Sequence, residues 1–345
     1  MFVTGLRRGL PSQEGPVGCE STCYGTAAVE LPYGDTKGPG RVRAAIITRS
    51  GKTAQAAQAS ATSFDMAAGE NEQSGTGANG SQPTASPSFA ANLKGKTGIV
   101  TGSARGIGAG IAIELGRRGA SVVVNYTSAT SEAKAAAVVA EIQKAGSKAV
   151  AVQGSVVHAA DRSKLVDAAL ALSSTAHIDL LVHNAANGDD RLLANVDEAF
   201  FDELVSVNVR GPLFLTQAVV PHMARGGRIV LISSAAARMG VAETTVYAAT
   251  KAGNEAFARV WATELGQSQG ITVNCVNPGP IATDGYYSST PEFIDSMQPM
   301  IESTPAEARV GEVRDIAPLV SFLCSEESRW VTGSVVSGSG GLLMF

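Results

Sequence analysis

The sequence predicts an α/β fold, a doubly wound, seven-stranded parallel sheet with helices on both faces. Three observations carry that prediction. From Leu93 onward, short β-branched runs alternate with helical patterns of about ten to twenty residues; the runs number seven; and a glycine-rich turn joins the first run to the first helix.

The runs are Thr97–Val100, Ser121–Asn125, Lys148–Gln153, Ile178–His183, Arg228–Ser233, Thr272–Val276 and Ser334–Val336. Helical patterns such as Ile107–Arg118 and Thr245–Leu265 lie between them. A purely parallel sheet needs such cover on both faces.

This domain is expected to occupy residues 91–345. Residues 1–90 read differently: they are rich in Ala, Gly, Ser and Thr, lack sustained periodicity and close on Gln82-Pro83-Thr84-Ala85-Ser86-Pro87. That is the composition of a disordered extension, with Met66 a candidate alternative start within it. Arg41, Arg43, Arg49 and Lys52 give part of it a transit-peptide flavour, but behind Glu14, Glu20, Glu30 and Asp35.

The 345 residues, 44% of them hydrophobic, suffice for a substantial core. A net charge of −4 without a long Lys/Arg block offers no footprint for nucleic acid or an anionic membrane, and neither is expected as a partner. The four cysteines, Cys19, Cys23, Cys275 and Cys324, are too few and scattered for a disulfide framework, and Cys19 and Cys23 lack a second pair at zinc-site spacing. No metal is expected. There is no apolar run of about eighteen residues and no secretory signal. A cytoplasmic location is expected.

The first strand runs into Thr101-Gly102-Ser103-Ala104-Arg105-Gly106-Ile107-Gly108, where an amphipathic helix begins. Glycines there let the backbone approach a pyrophosphate, and the helix N-terminus presents unpaired N–H groups to it. Gly102, Arg105, Gly106, Ile107 and Gly108 are therefore dinucleotide-binding candidates in a Rossmann-like domain. An NAD site of this kind places a carboxylate at the end of the second strand, about twenty positions on. Here the strand ends Asn125-Tyr126-Thr127-Ser128, with no acid to repel a ribose 2′-phosphate. Arg105 offers that phosphate a charged partner, so the predicted cofactor is NADP(H), with Asn125, Tyr126 and Ser128 as further contacts.

Tyr247-Ala248-Ala249-Thr250-Lys251 puts a phenol and an ammonium one helical turn apart. A phenol titrates near 10 and is a poor acid at neutral pH; a lysine cation and an oxidised nicotinamide would draw it down. His158, His177 and His222 have no Ser or Asp at meaningful spacing, so a hydrolytic triad is not supported.

The glycine loop, His183-Asn184-Ala185-Ala186, Asn208, Ser234, the Tyr247/Lys251 pair and Asn277-Pro278-Gly279 occur in that order. Together they resemble the single-domain short-chain dehydrogenase/reductase family, over roughly Leu93 to Gly341. The resemblance implies that Tyr247 protonates the substrate oxygen as hydride arrives, that Lys251 lowers its pKa and holds the nicotinamide ribose, that Tyr247 and Lys251 both contact the cofactor, and that Ser234 hydrogen-bonds the carbonyl oxygen. Asn208 would anchor a water relay to Lys251. Ile281 and Thr283, after Pro278 and Gly279, would grip the carboxamide; Val156 would lie beside adenine and Asn184 near the adenine ribose, with Ala185 a further cofactor-binding candidate. Family members commonly pair through the helices that here span about Glu203–His222 and Thr245–Leu265, so a homo-oligomer, dimer or tetramer, is expected.

Three positions depart from the family pattern: Ser155 stands where an aspartate usually binds the adenine amino group, His183 and Ala186 frame Asn184 where Asn-Asn-Ala-Gly is usual, and Ser337-Gly338-Ser339-Gly340-Gly341 lacks an acid. Ser155 is nonetheless a cofactor-binding candidate. Tyr286, Tyr287, Phe293, Met297, Met300 and Ile301 fall in the segment matching the family's substrate lid. They suit an apolar or aromatic ketone of secondary metabolism. Two alternatives stay open at this point: a 3-oxoacyl thioester reductase, and a catalytically silent NADP-binding sensor or scaffold.

Overall fold

The computed structural model describes residues 92–344. The expected disordered extension, Cys19 and Cys23, the arginine-bearing stretch and Met66 all lie outside the described residues.

Seven parallel strands form one sheet in the order β3-β2-β1-β4-β5-β6-β7. They are β1 (Thr97–Val100), β2 (Ser121–Tyr126), β3 (Ala149–Gln153), β4 (Ile178–His183), β5 (Met223–Ile232), β6 (Thr272–Pro278) and β7 (Val335–Gly338). The order reverses between β1 and β4, and the crevice at that point, beyond the strands' carboxyl ends, is where such sheets bind ligands.

Side chains alternate across each strand, so each supplies two cores. Val100, Val122, Val124, Val182 and Val230 meet α1 (Gly106–Arg117), α2 (Glu132–Lys144) and α9 (Val313–Leu323) through Ile111, Leu115, Ile142, Ile316 and Val320. On the other face Ile99, Val123, Leu181, Ile229 and Val273 meet α3 (Ala159–Leu172), α5 (Gly211–Val219) and α6 (Thr245–Gln269) through Leu165, Leu215, Val219, Ala258 and Trp261. Withdrawing one such leucine wholly from water contributes about 2 kcal/mol.

Two boundaries differ from the sequence expectation for physical reasons. Strand β5 begins at Met223 because Met223 pairs with Ile178 across a register shift, while Gly226, at φ 89°, lets the chain bend before regular pairing resumes at Arg228. The helix expected from Glu203 begins earlier, at Glu198, where Asp197 accepts the Phe200 N–H at 2.8 Å and Phe200 and Leu204 turn inward. That helix, α4 (Glu198–Val205), passes through a π-helical segment, Ser206–Arg210, before continuing as α5. Such widened turns recur at functional sites, and this one carries Asn208. The chain after β6 forms α7 (Asp284–Tyr287) and α8 (Pro291–Glu302).

Candidate active site

Gly102 and Gly106 both adopt left-handed backbone, φ 61° and 56°, at the turn from β1 into α1. A Cβ on Gly106 would point toward Thr283 Cγ2, 3.4 Å away, into the space between the glycine loop and the chain that follows β6. At Gly108 the reason is close packing: a Cβ there would stand 2.4 Å from Asn184 Nδ2 and 2.5 Å from the Gly102 carbonyl. Arg105, the N-cap of α1, makes no side-chain capping bond, and the first turn has no acid. The helix therefore presents uncapped N–H groups and an unopposed positive end to the cleft, which fits a pyrophosphate.

Several expected cofactor contacts instead face inward and build that cradle. Asn125 is fully buried; its Oδ1 accepts the Gly102 N–H at 3.1 Å and its Nδ2 donates to the Gly154 carbonyl at 2.8 Å. Asn184 donates to the carbonyls of Thr101 and Gly102 at 3.0 and 2.9 Å, and the Ala185 N–H goes to Thr101 Oγ1 at 3.0 Å. Tyr126 and Val156 belong to the two cores, Val156 packing on Gly211. Their buried side chains support the cradle. Ser155 Oγ accepts the Val157 N–H at 3.3 Å, and its own N–H goes to Asp161. Ser128 remains exposed, linked to Thr130 and Ser131. Ile281 buries its side chain, and in its bridge to Gly311 the bonds run through Pro280 O and Ala282 N, so its own N–H and C=O face the other way.

Helix α6 carries Tyr247 and Lys251 on one face, with the Lys251 ammonium 5.5 Å from the phenol ring centre. Lys251 is 3% exposed, donates to the Ile232 carbonyl at 2.8 Å, and burial lowers its pKa to about 8. Burial raises the Tyr247 phenol, nearby Asp190 raises it further, and a hydrogen bond with Ser234 works the other way. Ser234 Oγ accepts the Ala236 N–H at 3.1 Å, which leaves its O–H to donate. Ser233, by contrast, is buried and donates to the Lys251 carbonyl at 3.1 Å.

Asn208 is fully buried, and its amide is spent on protein. It accepts the Asn187 N–H at 2.8 Å and donates to the Asn187 carbonyl at 2.8 Å and to Thr250 Oγ1 at 3.1 Å; Thr250 in turn donates to the Tyr247 carbonyl at 2.7 Å. This side chain clamps the loop at Asn187 to helix α6.

Tyr247 and Ser234 open onto a cavity of about 250 Å³, whose walls include Met239, Tyr286, Phe293, Met297 and Met300. Of the expected lid residues, Ile301 instead enters the body and Tyr287 points out, 66% exposed. Lys134 of α2 reaches Asp284 Oδ2 at 2.8 Å, tying the lid's first turn to the far side of the cleft.

A family model described as "Enoyl-(Acyl carrier protein) reductase" matches residues 102–343. The chain is 48% identical over 255 residues to "Short-chain dehydrogenase/reductase FrzI" of Cladobotryum sp., covering 73% of this chain and 97% of that one. The chain belongs to the short-chain dehydrogenase/reductase family. Another relative in this family, "Hydroxynaphthalene reductase-like protein Arp2" of Metarhizium guizhouense, is 38% identical over 260 residues, 72% of this chain and 96% of that one. Among solved structures, the angucycline C-6 ketoreductase LanV with bound NADP superposes with a TM-score of 0.68 at 34% identity, covering 73% of this chain and 97% of that one. The promiscuous reductase LugOII, which catalyses keto-reduction at C1 during lugdunomycin biosynthesis, gives 0.66 at 37% identity, over 73% and 100%.

As a short-chain dehydrogenase/reductase the chain also has features that sequence reasoning missed. Asn277 Nδ2 donates to Glu255 Oε1, and Arg238 Nε to Glu255 Oε2, both at 2.6 Å, around a carboxylate only 3% exposed. Glu255 lies four residues beyond Lys251 on α6, a helical signal that periodicity alone could have flagged. Asp190, Met239 and Leu342 line the cavity from three separate segments with no local motif.

Proposed function

We propose that this protein reduces an apolar or aromatic ketone with NADPH, reversibly, Tyr247 acting as the acid. The observation that carries this reading is the convergence of two hydroxyls, Tyr247 and Ser234, on a cavity walled in part by Met239, Phe293, Met297 and Met300.

When bound, the cofactor supplies the hydride. Gly102, Gly106 and the α1 N-terminus would hold its pyrophosphate, with Arg105 and Ser128 near a 2′-phosphate, and Lys134 a further cation there. Pro278, Gly279, Ile281 and Thr283 would position the nicotinamide end.

Ser234 donates to the substrate oxygen, where negative charge grows. Tyr247 delivers its proton to the same oxygen, leaving a phenolate beside the Lys251 ammonium. A pKa of about 8 keeps Lys251 mostly charged at neutral pH, so the cation is present when that phenolate forms. A relay that re-protonates Tyr247 past Asn208 would use the asparagine's main chain, since its amide is committed.

The bicyclic and polycyclic ketones implied by the names of Arp2 and LanV support an aromatic substrate. Exposed Phe201, Leu213, Phe214 and Val260 on α4, α5 and α6 support homo-oligomerisation through those helices. Cys275 and Cys324 are free and buried, in keeping with a reducing, cytoplasmic setting. Among the described residues no helix is long and apolar enough to cross a membrane.

The test is turnover of the full chain with NADPH or NADH against bicyclic aromatic ketones, small aliphatic ketones and an acetoacetyl thioester. Oxidation of NADPH in preference to NADH, fastest with the bicyclic ketones, is expected. Turnover of the thioester alone would favour the acyl reductase.

A further inference from the structure

The catalytic cavity contains a carboxylate that the proposed chemistry does not use. Asp190 lines it together with Tyr247 and Ser234, among methionine and aromatic side chains. Among the described residues its carboxylate has no hydrogen bond and no ion pair. The charged groups around it are acids, Asp189 on its own loop and Glu243 on the loop before α6. Cations close in sequence to the cavity-lining residues are engaged elsewhere. Arg191 pairs with Asp197 at 3.1 Å and stacks on the Phe200 ring, Arg238 pairs with Glu255, and Lys251 is turned to Ile232.

The loop holding Asp190 is fixed at both ends. Asn187 is gripped by Asn208, and the Arg191 N–H donates to the Glu243 carbonyl at 2.8 Å. Glu243 itself sits at φ 69°, a left-handed backbone that costs a non-glycine residue of order 1 kcal/mol. The carboxylate is thus presented to the cavity by a braced loop.

Its position works against the chemistry. A negative charge beside Tyr247 raises the phenol's pKa and opposes formation of phenolate. A ligand that brings its own positive charge removes that penalty and satisfies the unpaired carboxylate together.

We propose that Asp190 is a specificity-determining residue that receives a cationic nitrogen carried by the ketone substrate. The assignment rests on the reductase reading and sharpens it: the preferred substrate is a protonated amino-ketone, and anionic acyl carriers are disfavoured by the same charge.

Three ketones of matched shape test it with the full chain and NADPH: a piperidone methylated on its ring nitrogen, the corresponding methylcyclohexanone, and the oxocyclohexanecarboxylate. The intact protein is expected to favour the amino-ketone over the carbocycle by roughly tenfold in kcat/KM, with the keto acid slowest. Asp190→Asn should abolish that preference and speed the carbocycle and the keto acid, whereas Asp190→Glu should keep part of the preference. Equal rates for the amino-ketone and the carbocycle in the intact protein, or an unchanged preference in Asp190→Asn, would overturn the assignment. Tyr247→Phe in the same assay separates the two ideas. If it slows both neutral and cationic ketones while Asp190→Asn changes nothing, only the role of Asp190 falls; if the intact protein oxidises NADPH with none of the three ketones, the reductase reading falls.

Discussion

Asn208 holds both main-chain groups of Asn187, accepting its N–H and donating to its carbonyl, each at 2.8 Å. Twenty-one residues apart in sequence, the two are joined by an amide buried at the π-helical turn between α4 and α5. Through Thr250 the same amide reaches the main chain of Tyr247. One buried side chain therefore sets both the cavity loop and the helix that carries the acid.

Asn208→Ala should consequently affect stability and catalysis together. Losing three hydrogen bonds from a buried site costs about 1–3 kcal/mol, and the released loop should lower kcat/KM by about tenfold or more. Urea midpoints and steady-state kinetics measure the two effects. A variant with native stability and native kcat/KM would show that the clamp positions nothing.

His183, on β4, is buried with its Nε2 2.8 Å from Thr216 Oγ1, and burial lowers its pKa from 6.5 to about 3. Between those values the unfolded chain binds more protons than the folded one, so this contribution is complete above 6.5 and drains away as pH falls toward 3. Thermal melting should show acid sensitivity amounting to a few kcal/mol between about pH 7 and pH 4. His183→Asn, which keeps a polar partner for Thr216 but does not titrate, should flatten that dependence. An identical pH profile in the variant would remove His183 as the cause.

Gly108→Ala should damage cofactor binding while leaving the sheet intact. The added methyl meets the backbone carbonyl of Gly102 as well as Asn184, and a main-chain atom cannot move aside cheaply. Overpacking of this kind costs about 1–3 kcal/mol, so NADPH affinity should fall about tenfold, read by quenching of protein fluorescence. Native affinity would mean that the loop relaxes without losing its shape.

Much of this was legible in the sequence because local pattern and fold agree. All seven strands announced themselves as β-branched runs, and the spacing of Tyr247 and Lys251 placed both on one helix face. The start of β5 did not, because Ala224, Arg225, Gly226 and Gly227 carry no strand pattern, lying between Met223, which pairs with Ile178, and Arg228, where regular pairing resumes. Cofactor residues were named by position, but position does not say which way a side chain turns. Asn125 and Asn184 turn inward because the glycine loop, having given up its own side chains, needs neighbours to satisfy its backbone. Asp190 was invisible because its place depends on Asn208 and Glu243, both distant in sequence.

The central claim, that the Tyr247 hydroxyl is the proton donor, is tested most directly by single-turnover reduction in Tyr247→Phe with NADPH binding measured alongside. Removal of one hydroxyl should weaken NADPH binding by no more than about tenfold and slow the reductive step at saturating NADPH by at least about a hundredfold. A variant that binds NADPH normally and reduces ketone at the original rate would contradict the account.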